Sequence, residues 1–500
     1  SPLAMLRPVA EEGPETTPAA EVPTRTPAGP AVDEVDVAMP ADSSPDAELP
    51  PTPDWNPVRT ELSWRACGQF EDRNLECAEV MVPVDYGQPG GELLPIAVRR
   101  IQANPLEPYH GALLFNPGGP GGEGIDLALA LFEGGIFDAI APGFDIIGFD
   151  PRGVASSGEM GCGILPEDMY PGATPSGEPT FGMDEYVAAY KAEGERCERE
   201  WGPLFRKLGS NNVVRDMEEI RKALNEPRLN FLGGSYGTRL GALYAHEYPE
   251  TTGRMVLDAA VHPRASLVQL VRGQLTQVVS LHEQILLGCE RGELPCPPES
   301  RLVFEQALAN ARQRGLGQAF VNTWAAQLAS VPGVASLLDA LAAEAADPGG
   351  DWVLNFVGGG GGGEGLVAFF SVNCTDDTFE PPTLDELEAL RAEFSELSPL
   401  FAEGYLVAAA SCAGWPVTRD PVPLPTASDA PALLVIGGVA DSRTPYEWSQ
   451  AMTEALGNAT LLTSNHYGHV AVASGSECVI RAVRAYLTSG SLPASGTTCS

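Results

Sequence analysis

Four short apolar runs, "GALLF" (111–115), "FDIIGFD" (144–150), "RLNFLGG" (228–234) and "RMVLDAAV" (254–261), are separated by stretches of helical periodicity, and this alternation constrains the fold more than any other feature of the chain. Continuous apolar runs of this length suit strands buried on both faces of a parallel sheet, and parallel neighbours need crossover segments between them. The intervening "GIDLALALFEGG", "NVVRDMEEIRKALNE" (212–226) and "TRLGALYAHEYPE" read as those crossover helices. Upstream, residues 77–87 and 93–103 alternate like a strand pair; downstream, "ALLVIGG" (432–438) and "ATLLTSN" (459–465) add two further strands. The pattern predicts an α/β protein with an open, mostly parallel sheet and helices on both faces.

The alternation breaks between about His262 and Pro425, where segments such as "SLVQLVRGQLTQVVSLHEQILLG" read as helical. An insertion of this kind between two strands is expected to form a cap over one end of the sheet. The chain thus divides into a spacer (1–56), a first core part (57–261), a helical cap (262–425) and a final core part (426–500). The spacer holds 12 prolines and 11 acidic residues against two basic ones, a composition that cannot bury a core and favours an extended tether. Gly358 to Gly363, followed by Glu364 and Gly365, lacks the Gly-Lys-Ser/Thr ending of a phosphate loop and reads as a flexible hinge.

Chemistry is concentrated at the ends of the expected strands. Gly233-Gly234-Ser235-Tyr236-Gly237 lies where a strand turns into a helix, the context that gives a G-x-S-x-G pattern meaning. Such a turn strains the serine backbone, and side chains at the flanking positions would collide with the neighbouring strand and helix. A serine nucleophile needs a base. Of the six histidines, His110 lies at the wrong end of its strand, His246 is about three turns along the helix from Ser235, His262 ends a strand and could border the site, and His282 falls in the cap. His466 and His469 follow the last expected strand, and His469, after a glycine, is preferred. Asp441, in the loop after strand 432–438, is the expected orienting acid, which completes the order Ser235, Asp441, His469. "FNPGGPGGEG" (115–124) follows another strand and would form the oxyanion loop, with backbone N–H groups of Gly119 and Tyr236 as donors.

Together "NPGGPGGEG", "FDPRGVASSG", "GGSYGTRLGALYAHEYPE", "RMVLDAAVHP", "ADSRTP" and "YGHVAV" resemble the secreted tripeptidyl aminopeptidases, serine exopeptidases related to the proline iminopeptidases. The resemblance covers most of residues 64–485. It implies an α/β-hydrolase core whose helical cap restricts substrates to free amino termini, from which a short peptide is released without a cofactor. It further implies that acidic cap residues, Glu364, Asp376 and Asp377, bind the substrate ammonium group. The chain departs from the family pattern at Glu123, where a small residue is usual, and at Val470, where Gly or Thr is common. Two other readings share these residues: an esterase or amidase on the same core, and a non-catalytic binding protein on a hydrolase scaffold.

Composition bounds the surroundings. A net charge of -37, from 67 acidic and 30 basic residues, argues against nucleic acid as a partner. Ten cysteines without metal-ligand spacing favour disulfides, hence an oxidising, extracytoplasmic location, and no metal. Pairing in chain order (67 with 77, 162 with 197, 289 with 296, 374 with 412, 478 with 499) would close five local loops. No run approaches the roughly 20 apolar residues of a membrane span. The opening "SPLAMLRPVA" has no basic stretch followed by an apolar one, so no export signal is expected within it. The spacer could tether the enzyme to a cell envelope, leaving peptides or proteins with free amino termini as the expected partners.

Overall fold

The computed structural model describes residues 62–70, 73–158, 160–162, 182–294, 296–297, 299–328, 334, 338 and 365–500. The spacer 1–56, the hexaglycine run and Glu364 lie outside the described residues.

The strands are β1 (Arg65–Phe70), β2 (Arg73–Pro83), β3 (Leu93–Ile101), β4 (Ala112–Asn116), β5 (Asp145–Phe149), β6 (Leu229–Gly234), β7 (Thr252–Asp258), β8 (Leu433–Ala440), β9 (Ala459–Tyr467) and β10 (Thr498–Cys499). They form one sheet in the order β1-β2-β3-β5-β4-β6-β7-β8-β9-β10. β1, β2, β3 and β5 pair antiparallel, and every pairing from β5 through β4 to β10 is parallel. The apolar runs sort by the two-residue period of a strand. Leu113, Phe115, Leu434 and Ile436 join the cluster on one face, with α1 (Gly124–Glu133), α2 (Ile136–Ile140) and α13 (Glu477–Ser489). Leu114, Leu433 and Val435 join the other, with α4 (Ser210–Ala223), α5 (Tyr236–Glu247) and α12 (Tyr446–Leu456). Burial on both faces is why these strands read as unbroken apolar runs.

Between β7 and β8 the chain builds helices α6 (Leu267–Glu290), α7 (Ser300–Gln313), α8 (Gly317–Gln327), α9 (Leu366–Asp376), α10 (Leu384–Leu397) and α11 (Ala402–Gly414). α6 opens with a capping box: Ser266 Oγ accepts from Gln269 N, while Gln269 Oε1 accepts from Ser266 N. Buried inside this helical layer, the His282 ring accepts a hydrogen bond from Trp324 Nε1 at 3.0 Å and packs against Phe304 and Phe401. That apolar setting pushes its pKa down to about 4, so it is a neutral core residue. One helix of this layer comes from elsewhere in the chain. α3 (Met183–Trp201), between β5 and β6, sets the Tyr190 ring edge-on to Phe370 of α9 at 5.1 Å. α3 also lies so close to α11 that a Cβ on Gly414 would sit 2.3 Å from the Val187 carbonyl oxygen.

All ten cysteines pair in chain order: Cys67–Cys77, Cys162–Cys197, Cys289–Cys296, Cys374–Cys412 and Cys478–Cys499. Cys374–Cys412 ties α9 to α11, and Cys478–Cys499 ties α13 to the last strand. Among the described residues no helix is long and apolar enough to cross a membrane, and no cluster of His, Cys, Asp and Glu could hold a metal ion.

Candidate active site

Ser235 occupies the single position between β6 and α5, with φ 54° and ψ -125°. A non-glycine residue there carries strain of about 1–3 kcal/mol, tolerated only where the surroundings fix it. They do so here by contact and by hydrogen bonding. A Cβ on Gly233 would lie 2.5 Å from the Gly237 carbonyl oxygen, and one on Gly237 would lie 2.7 Å from the Asn116 carbonyl oxygen, so only glycine fits on either side. The Ser235 N–H donates to the main-chain carbonyl of Asp258 at 2.9 Å, and both the Thr238 N–H and its hydroxyl donate back to the Ser235 carbonyl.

The glycine-rich loop 115–124, the expected oxyanion loop, folds directly over this turn. Gly118 and Gly119 have φ near +108° and +110°, and Asn116 Oδ1 accepts the Gly118 N–H at 3.0 Å. The fit is tight: a Cβ on Gly118 would be 2.8 Å from Ser235 Cβ and 2.9 Å from the Tyr236 nitrogen. Among the described residues the N–H groups of Gly119 and Tyr236 are committed to no other acceptor. Tyr236 is the first residue of α5, where helix N–H groups have no partner within the helix. Its side chain points the other way, into a buried polar cluster.

The histidine question resolves by contact. His469 Nδ1 lies 3.0 and 2.9 Å from the two oxygens of Asp441. Asp441 is 1% exposed and also accepts from the N–H groups of Arg443 and Thr444 and from the Thr444 hydroxyl. The Thr444 oxygen is itself 3.4 Å from His469 Nδ1. With Nδ1 facing the acid, Nε2 is the open nitrogen of the ring. Val470, the next residue, covers the turn that carries Ser235, since a Cβ on Gly234 would meet its Cγ2 at 3.3 Å. The other five histidines are placed differently. His110 packs on Phe144, His246 contacts Thr426, and His262 accepts the Arg264 N–H. His282 is in the helical layer between β7 and β8, and the buried His466 Nδ1 has no hydrogen-bond partner among the described residues.

Of the acidic residues expected at the substrate ammonium group, the two that are described, Asp376 and Asp377, hold other contacts. Asp376, 2% exposed at the end of α9, accepts from the Ser210 N–H at 2.8 Å, from the Ser210 hydroxyl and from Arg239 Nη1 at 3.3 Å. The Tyr236 hydroxyl donates to Ser210 Oγ at 2.7 Å, because the single Ser210 hydroxyl hydrogen goes to the carboxylate. Burial pushes the Asp376 pKa up to about 6, against the opposing effects of Arg239 and Ser210. Asp377 caps a neighbouring turn, one oxygen accepting from Leu267 N and the other from Phe379 N, and burial raises its pKa too. Both carboxylates are thus engaged in joining α9 to the core and to α6. Sequence patterns single out neither Ser210 nor the carboxylate of Asp258 as site components. Hydroxyls and acids that act through partners distant in the chain leave no local spacing to read.

A strained serine at a strand-to-helix turn, a histidine paired with a buried strand-end aspartate and a glycine loop over the turn define a serine hydrolase of the α/β-hydrolase fold. The family described as TAP-like protein matches residues 398–499. Serine protease Hip1 of Mycobacterium tuberculosis is 31% identical over 471 residues, covering 85% of this chain and 87% of that one. Tripeptidyl aminopeptidase of Streptomyces coelicolor is 28% identical over 486 residues, covering 88% and 86%. A carboxylesterase B of Mycobacterium tuberculosis is 29% identical over 482 residues, covering 90% and 92%. The chain belongs to the tripeptidyl aminopeptidase family of α/β-hydrolase serine peptidases.

Proposed function

We propose that this serine peptidase is an extracytoplasmic exopeptidase that removes short peptides, tripeptides in the first instance, from free amino termini. Ser235 attacks the scissile carbonyl, His469 takes the serine proton and returns it to the leaving amine, and Asp441 holds the imidazole in the required tautomer. The N–H groups of Gly119 and Tyr236 stabilise the tetrahedral oxyanion, and water resolves the resulting acyl-enzyme. The observation that carries the assignment is the bonding of His469 Nδ1 to both Asp441 oxygens, which leaves Nε2 free to serve Ser235. The tripeptidyl aminopeptidase relative supports the substrate class, and five disulfides support an oxidising compartment.

An esterase reading has its own support in the carboxylesterase B relative, because the same triad serves both chemistries. The deciding measurement compares a tripeptide anilide bearing a free amino terminus with its amino-acetylated form and with a simple aryl ester. Exopeptidase action predicts that acetylation abolishes anilide cleavage while leaving ester turnover intact. Equal cleavage of both anilides, or turnover of the ester alone, would refute it.

A further inference from the structure

Asp258, the last residue of β7, is fully buried and lies in register with Gly234 of β6 on one side and Ile436 of β8 on the other. Its main-chain carbonyl accepts the Ser235 N–H at 2.9 Å. Its carboxylate reaches in another direction: Oδ1 accepts the Ala471 N–H at 3.1 Å and Oδ2 accepts the Val472 N–H at 2.7 Å. One residue therefore holds both the backbone of the serine and the segment directly after His469.

That segment needs holding. His469 is flanked by Gly468 at φ 128° and Val470 at φ 67°. A β-branched residue in the left-handed region is a genuine outlier and persists only when its surroundings fix it. Ala471 and Val472 begin a short 3-10 turn, Ala471–Ser474, whose first N–H groups have no partner of their own. An ionised carboxylate answers both needs with two charge-assisted hydrogen bonds. Burying it is costly: desolvation pushes the Asp258 pKa up to about 6, opposed by the two N–H donors and by the neighbouring His469, and reinforced by the charge of Asp441. An apolar side chain at a strand end would avoid that cost altogether, so packing alone does not account for an aspartate here.

We propose that Asp258 is a positioning residue for catalysis, whose carboxylate fixes the loop carrying His469 in register with Ser235. This rests on the Ser235–His469–Asp441 reading. The test uses Asp258→Asn, in which the amide group keeps one acceptor but turns an N–H donor against one of the two backbone N–H groups. With an aryl ester as substrate, kcat should fall at least about 30-fold with KM within about threefold of wild type, since displacement of a catalytic group by about 1 Å costs of order 100-fold. The same substitution made in His469→Ala should change the residual rate by less than about threefold, because a residue acting through the histidine has nothing left to position. An equal loss in both backgrounds, or an unchanged kcat in the single variant, overturns the proposal. Should His469→Ala itself retain wild-type kcat, the triad reading fails and the proposal falls with it, an outcome distinct from equal losses on a crippled background. If Asp258→Asn does not fold, Ala471→Pro removes one donor at the first position of the turn, where proline is tolerated, and leaves the carboxylate in place. It should lower kcat at least about fivefold with little change in KM, as expected for loss of one of two supports, and an unaltered kcat would again overturn the proposal.

Discussion

Replacing Gly118 by alanine tests the oxyanion loop where its fit is tightest. The added methyl would lie 2.6 Å from the Gly234 carbonyl oxygen, 2.8 Å from Ser235 Cβ and 2.9 Å from the Tyr236 nitrogen. None of these atoms can retreat without moving the nucleophile turn, so the loop must move instead. The methyl also competes for the space within hydrogen-bonding reach of the Tyr236 N–H, since an oxyanion donor works at about 2.7–3.1 Å. Loss of one such donor costs about 100- to 1,000-fold in kcat, or about 2.7–4 kcal/mol, and Gly118→Ala should fall in that range on an aryl ester. A separate contribution comes from φ 108°, where any L-residue is strained whatever the space. Gly135, with φ 73° and no atom within 4 Å of the position a Cβ would take, isolates that contribution. Gly135→Ala should lose about 1 kcal/mol in urea denaturation with kcat unchanged. A folded Gly118→Ala enzyme with kcat within about threefold of wild type would refute the placement of the oxyanion hole, because loss of even one donor exceeds that change.

Thr444→Val should lower kcat about 10-fold or more while sparing KM, since the lost hydroxyl leaves Asp441 Oδ2 short of a donor beside His469; kcat and KM on one ester substrate measure it, and a pure KM effect would contradict it. Asp376→Asn should change the pH dependence of stability. A carboxyl whose folded pKa is raised from 3.8 to about 6 imposes an ionisation penalty that appears as pH rises through that interval, roughly 3 kcal/mol when complete. The stability of the variant relative to wild type should therefore improve between pH 4 and pH 7, as read by urea denaturation at both, and a constant difference would contradict the raised pKa. Replacing Cys374 and Cys412 by serine opens a loop spanning 38 positions and should cost about 4 kcal/mol through the chain entropy regained on unfolding; an unaltered melting profile would show that α9 and α11 are held together without it.

The sheet is legible in the sequence because its central strands are buried on both faces. β4, with all five residues buried, gives an unbroken apolar run, and the turn between β6 and α5 carries glycines that no other residue can replace. The cysteine pairing is legible for a related reason: partners close in sequence sit on adjacent elements, as Cys67 and Cys77 do on β1 and β2. β1 itself is not legible. It is an edge strand with largely exposed residues, and its "RACGQF" shows neither alternation nor an apolar run. Nor can α3 be read as a partner of the cap, because its buried residues Tyr186, Tyr190, Gly194 and Cys197 define a face without saying which distant surface covers it.

The acids divide along the same line. Asp441 can be read because its work is local: it anchors a turn three residues long and meets a histidine at the end of the adjacent strand. The contacts of Asp376 and Asp377 cannot be read, because their partners, Ser210, Arg239 and Leu267, come from elements more than 100 residues away. The consequence is functional as well as structural. Through Ser210, Asp376 at the end of α9 is bonded to the Tyr236 side chain, and the backbone N–H of that same tyrosine is one of the two proposed oxyanion donors. Gly365, at the start of α9, meets the oxyanion loop, for a Cβ on Gly121 would lie 2.5 Å from its carbonyl oxygen. The two ends of one helix thus contact both segments of the proposed oxyanion hole. Any substitution that shifts α9 should register in kcat before it registers in substrate affinity.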